Sequence, residues 1–211
     1  MKLRGLYAIT PDDTDSTRFI ARVSQALEGA DGGDWAALQY RNKLADPRQR
    51  LVQARTLAAL ARSKRLPFIV NDDPELALQV GADGVHLGHQ DGSLAEVRRR
   101  LPGKLIGVSC HDSLVAARVA VAAGADYVAF GSVFASRTKP GAVSAPLALF
   151  GEARVLGVPL VAIGGITLEN APQLLRAGAD CLAVISDLFD APDVAERARS
   201  YGKLWPHEIT Q

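Results

Sequence analysis

The chain has 211 residues, and its 24 lysines and arginines almost cancel its 23 aspartates and glutamates, which leaves a formal net charge of +1 at pH 7. This balance provides no broad electrostatic field that would attract nucleic acid or an anionic membrane, so any anion must bind at a local site. The length fits a single domain, residues 1–211, that is large enough to bury its own core.

Short apolar runs alternate with segments of helical period along the whole chain, which indicates repeated strand–helix units and a parallel sheet. Between the strands, apolar residues recur three and four positions apart, as Phe19, Val23 and Leu27 do, and the last helix is expected at 192–204. Eight such units predict an α/β fold, a single-domain (β/α)8 TIM barrel, with a doubly wound open sheet as the alternative. The predicted strands are 5–10, 35–41, 67–71, 84–88, 105–110, 127–133, 158–165 and 181–188.

A weak repeat marks the turns that enter three of these strands: QVGADGV (79–85), AAGADYV (122–128) and RAGADCL (176–182). The glycines of the repeat, Gly81, Gly124 and Gly178, are predicted to end helices. Such turns lie at the end of a barrel that serves stability, so we assign the repeat no part in the chemistry.

The segment NDDP (71–74) ends one predicted strand and begins the next predicted helix. Asp73 precedes a proline and a glutamate, which is the composition of a helix N-cap and first turn, so we expect Asp73 to cap the helix. Capping does not account for Asn71 and Asp72, and both are therefore candidates for a functional site.

In a (β/α)8 barrel the active site lies where the strands end, and the residues that follow the predicted strands are strongly polar. They are Gln39, Arg41 and Lys43 after strand 2, Asn71 and Asp72 after strand 3, Asp91 after strand 4, Ser109 and His111 after strand 5, Ser136, Arg137, Thr138 and Lys139 after strand 6, and Gly164, Gly165, Ile185 and Ser186 after strands 7 and 8.

Two acids on neighbouring strand ends, Asp72 and Asp91, are accompanied by the cations Arg41, Lys43 and Lys139. Mg²⁺ takes one or two carboxylates together with phosphate oxygens, and arginine and lysine match the phosphate charge that is left. The set predicts a magnesium–diphosphate site, with a solvated ring of salt bridges as the alternative.

Gly164 and Gly165 end the seventh strand, where barrels of this kind hold a monophosphate through backbone N–H groups and a helix start. Thr167 is expected to cap the next helix, and Ser186 adds a hydroxyl donor. The alternative is an ordinary flexible turn. Two anion sites in one mouth indicate two phosphorylated small-molecule substrates.

The histidines and cysteines are interpreted as structural. His86 and His111 have no partner acid at a suggestive spacing, so hydrogen-bonded roles are favoured over base catalysis. Cys110 and Cys181 lack zinc or disulfide spacing, which predicts buried free thiols in a reducing compartment. The N-terminal residues match neither a signal peptide nor a membrane span, and we expect a cytoplasmic protein without nucleic-acid or membrane partners.

The chain resembles the thiamine phosphate synthase family of (β/α)8 enzymes over nearly its whole length. The motifs that carry the resemblance are YAIT (7–10), QYRNK (39–43), FIVNDD (68–73), GADGVHLGHQD (81–91), GVSCH (107–111), SRTK (136–139), AIGGI (162–166) and VIS (184–186). The resemblance implies a transferase of thiamine biosynthesis, which joins a hydroxymethylpyrimidine diphosphate to a thiazole phosphate, or to its carboxylated form, and yields thiamine phosphate and diphosphate.

The resemblance also implies a role for each matching residue. The residues that would hold the pyrimidine diphosphate are Gln39, Arg41, Lys43, Asn71, Ser109 and Lys139, and those that would hold the thiazole phosphate are Ser136, Thr138, Gly165, Ile185 and Ser186. Asp72 and Asp91 match Mg²⁺ ligands, and Arg41 and Lys139 would be the catalytic cations that stabilise the departing diphosphate. The loop 134–146 is the candidate lid.

The chain departs from the usual family pattern where Gly131-Ser132 replaces Gly-Pro, where Ser136 replaces threonine and where His89 replaces glutamine. Three other functions stay open. A thiazole tautomerase would share the fold and the thiazole phosphate pocket without needing the metal–diphosphate set. A catalytically silent phosphate-binding barrel would keep the motifs without turnover, and a phosphosugar isomerase or epimerase would need an acid/base pair facing the sugar.

Overall fold

A computed structural model describes residues 3–31, 33–88, 93–135 and 145–205. Eight parallel strands pair in chain order and the last pairs with the first, so the sheet closes into a barrel. The predicted (β/α)8 fold is confirmed, and the alternative of an open sheet is wrong. The strands are β1 Gly5–Ile9, β2 Trp35–Tyr40, β3 Phe68–Asn71, β4 Gly84–Leu87, β5 Leu105–His111, β6 Tyr127–Phe130, β7 Leu160–Ile163 and β8 Cys181–Val184.

Helices follow the strands and pack on the outside of the barrel. They are α1 Ser16–Glu28, α2 Pro47–Ser63, α3 Pro74–Val80, α4 Leu94–Arg100, α5 Leu114–Ala122, α6 Ala148–Ala153, α7 Ala171–Ala177, α8 Ser186–Phe189 and α9 Val194–Gly202. The predicted last helix is confirmed as α9. Within the described residues, no helix combines the length and the apolar composition that crossing a membrane requires.

The eighth strand is shorter than predicted. It ends at Val184, and the next residues form α8 instead of continuing the strand to residue 188. The Phe189 N–H donates to the Ile185 carbonyl (2.9 Å), which closes a helical turn and buries Leu188 and Phe189. A short apolar run suits a strand and a buried helical turn equally well, so the sequence pattern did not separate them.

The core has one layer on each face of the sheet because successive strand residues point to opposite faces. Large side chains such as Phe19, Leu57 and Phe130 fill the outer layer between the sheet and the helices. The inner layer, inside the barrel, contains Tyr7 and Tyr127 together with much smaller residues. This mixture of sizes fills only part of the barrel interior and leaves space where the strands end.

The Gly-Ala-Asp repeat ties neighbouring strands together where they begin. Each aspartate precedes a strand, and its carboxylate accepts from a backbone N–H near the start of the preceding strand. The pairs are Asp83 with Phe68 (2.9 Å), Asp126 with Ile106 (2.7 Å) and Asp180 with Leu160 (2.9 Å). Gly81 and Gly178 end α3 and α7 as predicted, and Gly124 follows Ala123, the C-cap of α5. The repeat therefore supports the barrel at the end remote from the strand termini.

We expect Asp180→Ala to lower the free energy of unfolding by about 1–3 kcal/mol, because the buried Leu160 N–H loses its acceptor. Asp180→Asn keeps an acceptor oxygen and should lose less. Urea denaturation measures both. The control is Asp31→Ala, which removes an exposed ion pair with Lys64 and should change stability by less than about 0.5 kcal/mol. Equal stability of the two alanine variants would contradict this account of the repeat.

Candidate active site

A cavity of about 970 Å³ opens where the strands end. It brings together predicted site residues that are far apart in sequence: Gln39, Arg41, Lys43, Asn71, Asp72, Ser109, Gly165, Ile185 and Ser186. The other predicted site residues, Asp91, Ser136, Thr138 and Lys139, lie outside the described residues, as do His89 and most of the candidate lid. Barrel closure alone accounts for this gathering, since it places all strand ends around one mouth.

Asp72 and Asp73 are adjacent in sequence but have different surroundings. Asp72 lines the cavity, has a φ of 58° and donates its N–H to the His86 carbonyl (2.8 Å). Asp73 Oδ1 accepts from the Leu76 N–H (2.9 Å), which confirms the predicted cap of α3, and Asp73 Oδ2 accepts from Arg50 Nη2 (3.1 Å). Aspartate tolerates the left-handed conformation better than most residues, and this turn separates the two carboxylates.

The donors beside Asp72 suit Mg²⁺ in kind. The carboxylate of Asp72 and the amide oxygen of Asn71 are hard oxygen donors, and both residues line the cavity. Among the residues that the structure describes, no three His, Cys, Asp or Glu side chains form a metal-binding group. Asp91, the second predicted ligand, is not among them. Magnesium binding therefore stays a prediction.

Hydrogen-bonded side chains inside the barrel form the polar floor of the cavity. Gln39 Nε2 donates to the Tyr7 hydroxyl (3.1 Å), which is 2.7 Å from the Tyr127 hydroxyl. His86 joins Tyr127 through Nδ1 (3.2 Å) and Ser109 through Nε2 (2.9 Å). The floor thus runs unbroken between two predicted substrate-binding residues, Gln39 and Ser109.

The two tyrosines of the floor are neutral, because burial raises the pKa of both Tyr7 and Tyr127 well above the usual range for a phenol. The hydrogen-bonded role predicted for His86 is confirmed. Sequence reasoning missed both tyrosines. The available signal was their position in strands β1 and β6, on the face that points into the barrel.

Gly107 on β5 provides the space for Tyr127. A Cβ built on Gly107 would overlap the Tyr127 ring, including its hydroxyl. Tyr127 is fully buried and is held by ring contacts with Tyr7 and His86. A larger side chain at residue 107 would therefore displace the central member of the floor.

The Gly-Gly end of the cavity is tightly packed. Gly164 and Gly165 have φ values of 103° and 61°, and a Cβ on them would overlap Ser132 and Ala135, respectively. Only glycine combines a positive φ with the absence of a Cβ, so other residues at these positions would be strained. The packing of Ser132 and Ala135 therefore accounts for both glycines, and the approach of an anion to this backbone stays a prediction.

Thr167 makes the capping hydrogen bonds predicted for it, but it caps the turn that leads into the next helix and does not occupy the N-cap position of that helix. Helix α7 begins at Ala171, with Asn170 in the N-cap position. Thr167 instead starts the turn before it, where the Thr167 N–H donates to Asn170 Oδ1 (2.9 Å) and the Asn170 N–H donates to Thr167 Oγ1 (3.3 Å). These bonds have the reciprocal form of a capping box, and the Ala171 N–H donates to the Thr167 carbonyl (2.9 Å), so the capped turn runs directly into α7.

An ion pair beside Ser186 also lines the cavity and has no signal in the sequence. Asp187 Oδ2 accepts from Arg197 Nη1 (2.7 Å) and from the Tyr201 hydroxyl (2.7 Å). The Asp187 carboxylate raises the pKa of Arg197, so this side chain stays charged. These contacts tie α9 to the short helix α8 at the edge of the cavity.

The two thiols are free and buried, as predicted. Burial raises the pKa of Cys110 to about 12 and also raises that of Cys181. A neutral thiol is a poor nucleophile, and neither cysteine is therefore a candidate for covalent catalysis.

The thiamine monophosphate synthase family model matches residues 6–188. A thiamine-phosphate synthase of Aromatoleum aromaticum is 56% identical over 206 residues, which are 97% of this chain and 97% of that protein. One from Azoarcus sp. is 55% identical over 97% of this chain and 98% of that protein. Among solved structures, the thiamine phosphate pyrophosphorylase of Pyrococcus furiosus matches with a TM-score of 0.83 at 34% identity and covers 96% of each chain.

We expect Gly107→Ala to destabilise the fold by about 1–3 kcal/mol or more, because its methyl group collides with the buried Tyr127 ring. The matched control is Gly151→Ala on α6, where no atom lies near the added Cβ. Alanine is the better helix former, so the control should gain up to about 1 kcal/mol. Urea denaturation compares the two variants, and a Gly107→Ala protein as stable as the unmodified chain would refute the packing argument.

Proposed function

The chain belongs to the thiamine monophosphate synthase family, and on this premise we propose that it is a transferase that joins a hydroxymethylpyrimidine diphosphate to a thiazole phosphate. The products are thiamine phosphate and diphosphate. One observation carries the proposal: a single cavity holds a cationic end after β2, next to Asp72 after β3, and a Gly-Gly end after β7. Two phosphorylated small molecules require two such ends in one mouth.

The reaction exchanges one bond for another at the pyrimidine methylene. The bond between this carbon and the diphosphate oxygen breaks, and its electron pair leaves with the diphosphate. The thiazole nitrogen donates its lone pair to the same carbon, and the ring becomes a thiazolium cation. No proton is transferred, so the cavity needs no general base; its tasks are to stabilise the leaving group and to exclude water.

Arg41 and Lys43 are proposed to receive the diphosphate, with Asn71 as a polar contact and with Lys139 from outside the described residues. Fixed cations stabilise the negative charge that develops on the leaving oxygen, and Arg41 and Lys139 are the proposed catalytic pair. Bound between Asp72 and Asp91, Mg²⁺ would neutralise further diphosphate charge. The position of Asp72 in the cavity beside Arg41 and Lys43 supports this assignment.

Gln39 and Ser109 are proposed to orient the pyrimidine ring above the polar floor. Each makes a hydrogen bond to the floor, to Tyr7 and to His86 respectively, which limits the orientations that their polar atoms adopt. The aminopyrimidine spreads positive charge as the diphosphate leaves. A floor of neutral tyrosines offers that cation no competing anion.

The thiazole phosphate is proposed to bind at the opposite end, near Gly165, Ile185 and Ser186, with Ser136 and Thr138 from outside the described residues. These three described residues line the cavity together, and Ser186 adds a hydroxyl at the start of α8. The cytoplasmic location and the lid expected from the sequence stay predictions.

The alternatives explain less of the cavity. A thiazole tautomerase has no use for Asp72, Arg41 and Lys43 in the same cavity as the Gly-Gly end. A phosphosugar isomerase would need an acid/base pair facing the sugar, and two of the three aspartates in the described part of the cavity are already paired, Asp187 with Arg197 and Tyr201 and Asp190 with Arg22. A silent phosphate-binding barrel is separated from an enzyme by turnover.

We expect the purified chain to release diphosphate only when the pyrimidine diphosphate, the thiazole phosphate and Mg²⁺ are all present. A coupled diphosphate assay measures this, with chelation by EDTA and re-addition of Mg²⁺ or Mn²⁺ as controls for the metal. Thiazole phosphate binding without any diphosphate release would favour the tautomerase or the silent barrel over the synthase.

We expect Asp72→Asn to reduce kcat by about a hundredfold or more, because it removes a charge that supports the metal and the leaving group. Asp73→Asn should keep its activity, since asparagine caps a helix as well as aspartate does. Steady-state kinetics and thermal unfolding of both variants provide the comparison. Equal loss of activity in the two variants, at unchanged melting temperatures, would defeat this division of roles.

A further inference from the structure

One carboxylate on the loop after β1 binds Arg41 and Lys43, the two described residues that are proposed to receive the diphosphate. Asp12 Oδ2 accepts from Arg41 Nη1 (2.8 Å), and Asp12 Oδ1 accepts from the Lys43 backbone N–H (2.6 Å). The Arg41 side chain is 14% exposed, against 29% for Asp12. The Arg41 side chain is therefore largely shielded from solvent, and the Asp12 side chain is about twice as exposed.

Other hydrogen bonds fix Arg41 and Asn42 in the loop after β2, but they do not involve the Arg41 guanidinium. The buried Thr10 hydroxyl accepts from the Arg41 N–H (2.8 Å) and donates to the Arg41 carbonyl (2.7 Å). Asn42, between the two cations, donates to the Asp13 carbonyl (2.6 Å). Among the described residues, the Arg41 guanidinium has Asp12 as its acceptor. Asp12 therefore sets the orientation of the Arg41 guanidinium.

We infer that Asp12 is a positioning residue for diphosphate capture, an inference that rests on the function proposed above. An unrestrained arginine has many rotamers, and ordering it on the substrate weakens binding. Asp12 holds Arg41 in place before the substrate arrives and fixes the Lys43 backbone with its second oxygen. The substrate then meets an Arg41 guanidinium that is already oriented, next to a Lys43 whose backbone is fixed.

Asp12 has a second effect of opposite sign, since its negative charge repels a polyanion. Repulsion across solvent is screened by salt, whereas positioning is not. The geometry favours positioning as the stronger effect, because the Asp12 charge is already paired with that of Arg41. When the carboxylate is removed, loss of positioning would weaken diphosphate binding, and loss of repulsion would strengthen it.

The test compares Asp12→Ala with Asp12→Asn. Alanine removes both contacts, and asparagine keeps an oxygen for the Lys43 N–H while losing the charge. We expect the KM for the pyrimidine diphosphate to rise about tenfold in Asp12→Ala and less in Asp12→Asn. The KM for the thiazole phosphate should be unchanged in both. Because Asp12 is an exposed residue, both variants should have the same melting temperature as the unmodified chain.

Binding of inorganic diphosphate with Mg²⁺, measured by calorimetry at low and high salt, provides a readout independent of turnover. Asp12→Ala should bind about tenfold more weakly at both salt concentrations. Unchanged binding, or tighter binding that disappears at high salt, would overturn the inference. The control is Glu75→Gln, which loses the same charge and breaks the exposed Arg100–Glu75 ion pair (2.7 Å), and which should alter neither readout.

The two readouts separate this inference from the proposed function. If the unmodified chain binds diphosphate but shows no turnover, the proposed function fails and the binding comparison still tests Asp12. If it turns over normally and Asp12→Ala matches it in both KM and diphosphate binding, the inference fails alone.

Discussion

The hydrogen bonds between β1 and β8 close the sheet, and the rest of the molecule depends on that closure. In a closed parallel barrel every strand ends at the same mouth, so residues as distant as Gln39 and Ser186 line one cavity. Closure also gives the strands an inner face. That face is filled unevenly, by two buried tyrosines next to Ala129 and Ala183, and the unfilled part is the cavity.

Neighbouring residues of one motif serve two different purposes. Asp73 stabilises α3 and binds Arg50, whereas Asp72, one residue earlier, lines the cavity of the candidate site. The positive φ of Asp72 is what separates them, because it turns the chain between the strand and the helix. Local stability and the candidate site therefore share a single turn, and a change in one acid can be compared directly with a change in the other.

Sequence patterns predicted the elements well, because strands and helices are determined locally by apolar period and by caps such as Asp73. They failed where two local solutions compete. The apolar run after Val184 suits a strand or a helical turn, and the structure has the helical turn. The eight strand–helix units predicted a closed barrel, and a closed barrel brings the strand ends together. The described strand-end residues do line one cavity.

The contacts that shape the site were beyond local patterns. Tyr7 meets Tyr127 across 120 residues, and Asp12 meets Arg41 across 29. A pattern of neighbours carries no information on which distant side chains touch. The glycine that admits Tyr127 likewise reads as an ordinary strand residue, although the polar floor depends on its lack of a Cβ.

The order of strands around the barrel gives the proposed reaction a direction. In a ring of eight, β3 with Asn71 and Asp72 at its end stands opposite β7 with its Gly-Gly end, and Arg41 and Lys43 follow the neighbouring strand β2. A diphosphate drawn to the first side and a thiazole phosphate anchored on the second would place the leaving group and the nucleophile on opposite sides of the pyrimidine methylene. Bond breaking and bond formation then proceed along one line, with the polar floor beneath. Under this arrangement the fold itself, through its strand order, orients the two substrates for the reaction.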